Sequence, residues 1–132
     1  LHMCRGNLKG TWLSEGSYQA ISEKLFNKLN VDVFFLEYDT ERAGGFEPLA
    51  AMPDDKRVVL GLVSSKMPEL EAKDALKARI EEAAKYVDID RLAISPQCGF
   101  SSAIVGNPVT VDDEIAKLKL VVEVAEEVWG SA

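Results

Sequence analysis

The sequence holds two cysteines and a single histidine, the residue types best suited to bind a metal ion or to act as nucleophiles. His2 and Cys4 are separated by one residue, so in an extended segment both side chains project to the same side and one ion can contact both. Glu37 follows an apolar run, where an ionised carboxylate needs a partner, and Cys98 comes much later in the chain. Zinc usually takes four ligands from thiolate, imidazole and carboxylate groups. These four residues are therefore candidate zinc ligands.

Each of these residues also has a simpler interpretation. Free cysteine is among the most buried residue types, so Cys98 could be a packing residue. His2 could belong to a disordered start of the chain. Two cysteines are too few for the disulfide framework of a small secreted protein. The residues alone leave both a metal site and plain packing open.

Three short apolar runs predict buried parallel strands, at residues 31–38, 58–64 and 91–95. The helices predicted around them have apolar stripes at helical spacing, formed by Tyr18, Ile21, Leu25 and Leu29 and by Leu76, Ile80, Ala83, Ala84 and Val87. A last helix is predicted from about residue 112 to residue 129. Thr110 and Asp113 are placed to form a capping box at its start, and Gly130 is placed to end it.

The alternation of strands and helices predicts an α/β fold with a parallel sheet and right-handed crossovers. Two architectures fit: a small open sheet, or the C-terminal portion of a (β/α)8 TIM barrel with three parallel strands and flanking helices. A whole barrel takes about 250 residues, so these 132 residues would supply about half of one, as a single domain over residues 1–132. No strand is predicted ahead of His2 and Cys4. The four candidate ligands fall at the carboxyl ends of strands or in loops at that level, where α/β proteins place their active sites.

The composition excludes some classes of partner. The formal net charge is −7, and the 15 basic residues are scattered among 22 acidic ones, which argues against binding to nucleic acid or to an anionic membrane. No apolar run approaches the roughly 20 residues that cross a bilayer, and the start of the sequence lacks a signal-peptide pattern. A cytoplasmic protein is the expectation.

The sequence resembles the cobalamin-independent methionine synthase family, in its shorter single-barrel form. The resemblance runs nearly end to end and rests on four collinear motifs and a terminal helix: residues 2–7 (HMCRGN), 34–39 (FFLEYD), 58–66 (VVLGLVSSK), 95–100 (SPQCGF) and 117–130. It implies a (β/α)8 barrel whose zinc ion is held by His2, Cys4, Glu37 and Cys98. It also implies that zinc binds the homocysteine sulfur as a thiolate, which takes a methyl group and becomes methionine.

One motif departs from the larger two-barrel members, which carry a histidine, a proton donor, in the loop after the strand matching residues 58–63. That loop reads Ser64-Ser65-Lys66-Met67 here. Lys66 aligns near the missing histidine and is a candidate catalytic residue, but the resemblance does not assign it that role. The methyl donor is therefore expected to be either a methyl-folate polyglutamate or a methylated corrinoid protein.

Charged residues beside the candidate ligands are expected to bind substrate or to support the ligands. Glu37, Asp39 and Arg42 are the candidate substrate-binding residues, and Arg5 and Asn7 are expected to hydrogen-bond ligands.

Two other functions stay open: a non-catalytic half-barrel that binds zinc or a partner, and an unrelated small α/β binding module in which Cys98 is only buried. An incomplete barrel exposes strand edges and apolar faces. We therefore expect the chain to form a homo-oligomer or to associate with the missing half of the barrel.

Overall fold

The chain forms a four-stranded sheet, parallel throughout, in a computed structural model that describes residues 1–101 and 104–132. The strands follow one another in space as they do in sequence: β1 (His2–Met3), β2 (Val33–Glu37), β3 (Arg57–Val63) and β4 (Leu92–Pro96). The helices are α1 (Ser22–Lys28), α2 (Lys73–Ala83) and α3 (Val111–Trp129). Short 3₁₀ turns cover Tyr18–Ala20, Glu41–Ala43, Glu47–Ala51 and Ile89–Arg91.

The predicted α/β fold with a parallel sheet is confirmed, and each of the three predicted strands is present with ends shifted by one or two residues. The structure has one strand more than the three predicted, and this strand contains His2. His2 itself pairs with Phe35, and Met3 pairs with Leu36, so that a fourth strand lies against β2. A strand of two residues is too short to show any periodicity, which is why the pattern of the sequence did not reveal it.

The core lies between the sheet and its helices. It includes Phe34 and Leu36 of β2, Val58 and Leu60 of β3, and the inward faces of the three helices. The aromatic ring of Phe26 on α1 packs edge-on against Phe34, with 5.2 Å between ring centroids.

The predicted apolar stripe of the first helix was only partly right. Tyr18 is fully buried, but it lies in a 3₁₀ turn before α1, and Ile21 and Leu29 are exposed. The buried face instead continues through Ser22 and Phe26 at intervals of four residues. Turning this face inward buries the aromatic ring of Phe26 completely, and Leu25 beside it is partly buried against the core. In α2 the predicted face is confirmed for Leu76, Ile80 and Ala83, which are buried, although the helix ends before Ala84 and Val87.

Helix α3 begins and ends as its sequence predicts. The Thr110 hydroxyl accepts a hydrogen bond from the Asp113 amide, and the Asp113 carboxylate accepts one from the Thr110 amide, which completes the capping box. Gly130 adopts the left-handed conformation, with φ of 78°, and ends the helix. No helix in residues 1–101 and 104–132 combines the length and apolarity needed to cross a membrane.

We expect Thr110→Ala to lower the free energy of unfolding by about 1 kcal/mol, because the variant leaves an amide of the first helical turn without its acceptor. Urea denaturation followed by circular dichroism measures this change. Thr40→Ala is the matched control, since Thr40 stands at the start of a 3₁₀ turn and its side chain makes no capping hydrogen bond. Equal losses in the two variants would contradict the assignment of the cap.

Candidate metal centre

The candidate ligands reach one edge of the sheet from three different strands. His2 lies in β1 and Cys4 follows that strand directly, Glu37 is the last residue of β2, and Cys98 comes two residues after the end of β4. Because all four strands are parallel, their carboxyl ends meet at this edge. The topology therefore brings together residues that are up to 96 positions apart in the sequence.

Three of the four predicted ligands form a tight group. Among the described residues, His2, Cys4 and Cys98 place one potential ligand atom each so that all three atoms lie within 4.8 Å of one another. In a tetrahedral zinc site with Zn–S bonds of about 2.3 Å, two sulfur ligands stand about 3.8 Å apart. The separations in this group therefore exceed those of a closed zinc site by at most about 1 Å.

Glu37 lies outside this group of three but touches it. Its Oε2 atom is 4.0 Å from the sulfur of Cys98, and the same oxygen accepts a hydrogen bond of 3.3 Å from the Arg5 amide. The side chain is buried, with 1% of its surface exposed. A buried carboxylate beside the Cys98 thiol is a candidate for the fourth donor of a tetrahedral zinc site.

The second oxygen of Glu37 is held by two cations. Arg42 donates to Oε1 through Nη2, and the ammonium of Lys66 lies 3.4 Å from the same oxygen. Arg42 Nη2 also donates to Asp39 at 2.8 Å. All four side chains are buried, so two carboxylates and two cations offset one another at the edge of the sheet.

The cation–carboxylate network affects the ionisation of its members. Burial favours the neutral form of Arg42, but the hydrogen bond to Glu37 and the charges of Glu37 and Asp39 outweigh it and raise the guanidinium pKa. Burial also raises the pKa of the Cys98 thiol, the neighbouring Lys66 ammonium lowers it, and negative charge at Cys4 and Glu37 raises it further. A bound cation would favour the thiolate at this position.

Lys66, the candidate catalytic residue, lies in the loop after β3 and is buried beside the ligands. Its Nζ atom donates to Gln97 Oε1 at 2.7 Å in addition to its contact with Glu37. Gln97 Oε1 also accepts from the Ser65 amide at 3.3 Å. The side-chain amide of Gln97 therefore joins the loop after β3 to the segment that carries Cys98.

The sequence patterns missed three residues near the site. Gln97 stands beside Cys98 in the SPQCGF motif, and that adjacency was the one available signal. Trp12 covers the guanidinium of Arg42, with 4.7 Å from Arg42 Cζ to the ring centroid, and Tyr18 lies 4.0 Å beneath the guanidinium of Arg5. Nothing in their type or spacing distinguishes Trp12 or Tyr18 from ordinary core or surface aromatics.

Comparison with known proteins gives a consistent result at the level of the family. Residues 1–127 match the family model described as the catalytic domain of cobalamin-independent synthase. The chain is 53% identical over 130 residues to YxjG, an uncharacterized protein of Bacillus subtilis, a match that covers 98% of this chain and 34% of YxjG. It is 28% identical over 129 residues to the 5-methyltetrahydropteroyltriglutamate–homocysteine methyltransferase of Bacillus licheniformis, covering 98% of this chain and 15% of that enzyme.

A solved structure gives the same result for the fold. The B12-independent methionine synthase of Shewanella sp. W3-18-1, in complex with selenomethionine, superposes with a TM-score of 0.75 at 25% identity. The match covers 96% of this chain and 37% of the Shewanella chain. This chain therefore corresponds to about a third of the length of YxjG and of the Shewanella synthase.

Proposed function

The chain belongs to the family of cobalamin-independent synthase catalytic domains, and we propose that it is the zinc-binding C-terminal part of a (β/α)8 barrel that transfers a methyl group to the sulfur of homocysteine. The product is methionine. One observation carries the proposal: the imidazole of His2 and the thiols of Cys4 and Cys98 lie within 4.8 Å of one another, at the edge where parallel sheets place their active sites. Residues 1–132 act as one domain in this proposal, since the buried apolar residues that the structure describes form a single cluster.

The donor chemistry of these residues fits zinc. His2, Cys4 and Cys98 would supply nitrogen and two sulfurs, and Glu37 would supply its Oε2 atom, completing four ligands of the types that zinc prefers. Cys4 accepts a hydrogen bond of 3.4 Å from the Gly6 amide, which fixes the position of its sulfur. Arg42 and Lys66 contact the other oxygen of Glu37, and Oε2 faces the Cys98 thiol.

The reaction needs a thiolate at neutral pH. A thiol with a pKa of about 8.5 is mostly protonated there. Bound zinc would supply a Lewis acid that lowers the pKa of the substrate thiol. Around it, the buried cations Arg42 and Lys66 offset the negative charge of the carboxylates, and Asp39 fixes the guanidinium of Arg42. Lys66 is also the candidate proton donor to the methyl carrier, because its ammonium lies beside the ligands.

The methyl donor in this proposal is a methyl-folate polyglutamate or a methylated corrinoid. The alternative is a non-catalytic part that binds zinc or a partner, and the observation in its favour is that the chain spans 34% of YxjG. Methyl transfer by the whole protein and the binding of metal and thiol by this chain are therefore tested by separate experiments.

A spectroscopic titration tests the proposed function at the level of this chain. The chain is loaded with Co²⁺, whose visible absorption reports its ligands, and titrated with homocysteine or with homoserine, which carries oxygen in place of sulfur. We expect homocysteine to raise sulfur-to-cobalt charge-transfer absorption and homoserine to leave the spectrum unchanged. No response to homocysteine would overturn the proposal of a thiol substrate.

Turnover separates the enzyme from the non-catalytic alternative. Zinc-loaded chain is incubated with homocysteine and either methyltetrahydropteroyltriglutamate or methylcobalamin, and methionine is quantified by mass spectrometry. Methionine formation that requires zinc supports the enzyme. Binding of homocysteine without methionine from either donor supports the non-catalytic alternative for this chain.

Association with a further copy or with the rest of a barrel stays a prediction. Apolar side chains are exposed on the sheet, at Phe35, and along one face of α3, at Val111, Ile115, Leu118 and Val122. Burying them would contribute about 1.5–3 kcal/mol for each large side chain. We expect light scattering at micromolar concentration to report a mass above that of one chain. A single-chain mass that persists on dilution, with no binding of a dye specific for apolar surface, would contradict this expectation.

A further inference from the structure

The hydroxyl of Tyr18 lies at the point where β1 and β2 cease to pair. It accepts a hydrogen bond of 3.0 Å from the Glu37 amide and lies 3.1 Å from the carbonyl oxygen of Met3, to which it donates. The carbonyl oxygen of Glu37 is 3.4 Å away. The side chain of Tyr18 is fully buried. One side-chain hydroxyl thus connects the backbones of two neighbouring strands.

The register of the two strands shows why this position matters. The ladder pairs His2 with Phe35 and Met3 with Leu36 and then stops, although the next pair in the same register would be Cys4 with Glu37. Both members of that unformed pair are candidate zinc ligands. The Tyr18 hydroxyl donates to the Met3 carbonyl on one strand and accepts from the Glu37 amide on the other. It therefore replaces a backbone pairing that the two strands do not form.

The ring of Tyr18 adds a second contact on the other side of Cys4. The guanidinium of Arg5 stacks over the ring at 4.0 Å from its centroid, and the Arg5 amide donates to Glu37 Oε2 at 3.3 Å. Tyr18 therefore contacts both neighbours of Cys4, which are Met3 and Arg5, and also the backbone of Glu37.

We infer that Tyr18 is a positioning residue for the metal centre, which sets the separation between Cys4 and Glu37 without touching the ion. This inference rests on the proposed function, because it assumes that a metal ion binds at these residues. Since the hydroxyl is buried, water has no direct access to replace it when it is removed. The Glu37 amide then loses its acceptor, and the two ligand-bearing segments are free to separate.

The chain offers a matched control for this inference. Tyr38 is also buried, its ring lies 5.4 Å from that of Tyr18, and its hydroxyl has no hydrogen-bond partner among the residues that the structure describes. Tyr18→Phe and Tyr38→Phe therefore remove the same atom from the same part of the core. The first removes a connection between strands, and the second removes none.

The test compares zinc affinity, measured by competition with a chromophoric chelator, and the absorption spectrum of the Co²⁺-loaded chain. We expect Tyr18→Phe to weaken zinc binding about tenfold or more, as loss of a supporting hydrogen bond does at other metal sites, and to shift the Co²⁺ ligand-field bands. Tyr38→Phe is expected to match the unmodified chain in both measurements. A Tyr18→Phe variant within twofold of the unmodified chain and with an unchanged spectrum would overturn the inference, as would equal losses in both variants.

A second measurement needs no metal. Hydrogen exchange of the Glu37 amide, followed by NMR or mass spectrometry, should accelerate at least tenfold in Tyr18→Phe and stay unchanged in Tyr38→Phe. Unchanged protection in Tyr18→Phe contradicts the inference even if its zinc affinity falls. If the unmodified chain binds neither zinc nor Co²⁺, the proposed function fails and the inference fails with it. If that chain binds metal and only the tyrosine result is negative, the inference alone is wrong.

Discussion

Alanine in place of Cys4 or Cys98 is expected to lower the zinc affinity of the chain by more than about 100-fold. Each substitution removes a thiolate donor, and even outer groups that only support a ligand change metal affinity by about 10- to 100-fold. Because the sequence contains no third cysteine, neither loss can be replaced by a nearby sulfur. Metal content after dialysis and competition with a chelator of known affinity measure the effect.

The control for these variants is Ser95→Ala. Ser95 lies on β4 and lines the same shallow cavity as His2 and Glu37, and within the described part of the chain its hydroxyl bonds only the neighbouring carbonyl of Pro96. We expect this variant to retain the zinc affinity of the unmodified chain. Zinc affinity that is undiminished in both cysteine variants would show that the metal, if bound, lies elsewhere.

The largest expected effect on stability comes from Glu37→Gln, measured in a chelating buffer so that metal binding does not contribute. The substitution keeps the shape of the side chain but leaves Asp39, which pairs with Arg42, as the one carboxylate of the network against two buried cations, Arg42 and Lys66. Removing one partner of a buried ion pair typically costs about 3–5 kcal/mol. Guanidinium denaturation is expected to show a loss of this size in the free energy of unfolding.

Glu127→Gln is the control for Glu37→Gln. Glu127 pairs with Lys73 and Lys77, but the three side chains are 32–43% exposed, so solvent screens their charges. We expect the midpoint of its denaturation curve to stay close to that of the unmodified chain. If Glu37→Gln were equally mild, the buried network would contribute little, and its arrangement would have to be explained by the metal site alone.

Much of the fold follows from local patterns. The apolar runs at residues 58–64 and 91–95 predicted β3 and β4 because strands covered on both faces are apolar at successive positions. Helix α3 was predictable from the capping pair and the terminal glycine, which act within a few residues of themselves. By contrast, β1 has two residues and is defined by its pairing with β2, so no local sequence pattern predicts it.

The candidate site was likewise predictable only in part from the sequence. The chain contains two cysteines and one histidine, so residue type alone made Cys4, Cys98 and His2 candidate ligands. Their position at strand ends followed from the parallel topology. The contacts of Lys66 and of Tyr18 could not be predicted, because each joins segments whose distance depends on how the strands pack. Tyr18 was predicted only as part of an apolar stripe, since the role of its hydroxyl depends on a partner 19 residues away.

The unequal use of the two oxygens of Glu37 has a consequence for which ions the site can accept. Arg42 and Lys66 both contact Oε1, whereas Oε2 accepts from the Arg5 amide and lies 4.0 Å from the Cys98 sulfur, so this arrangement favours monodentate over bidentate coordination by Glu37. Calcium requires six to eight oxygen ligands and often a bidentate carboxylate, and magnesium favours octahedral oxygen coordination. If a metal ion binds as proposed, this arrangement would disfavour both of these hard cations relative to softer ions that bind sulfur, such as Zn²⁺, Co²⁺ and Cd²⁺.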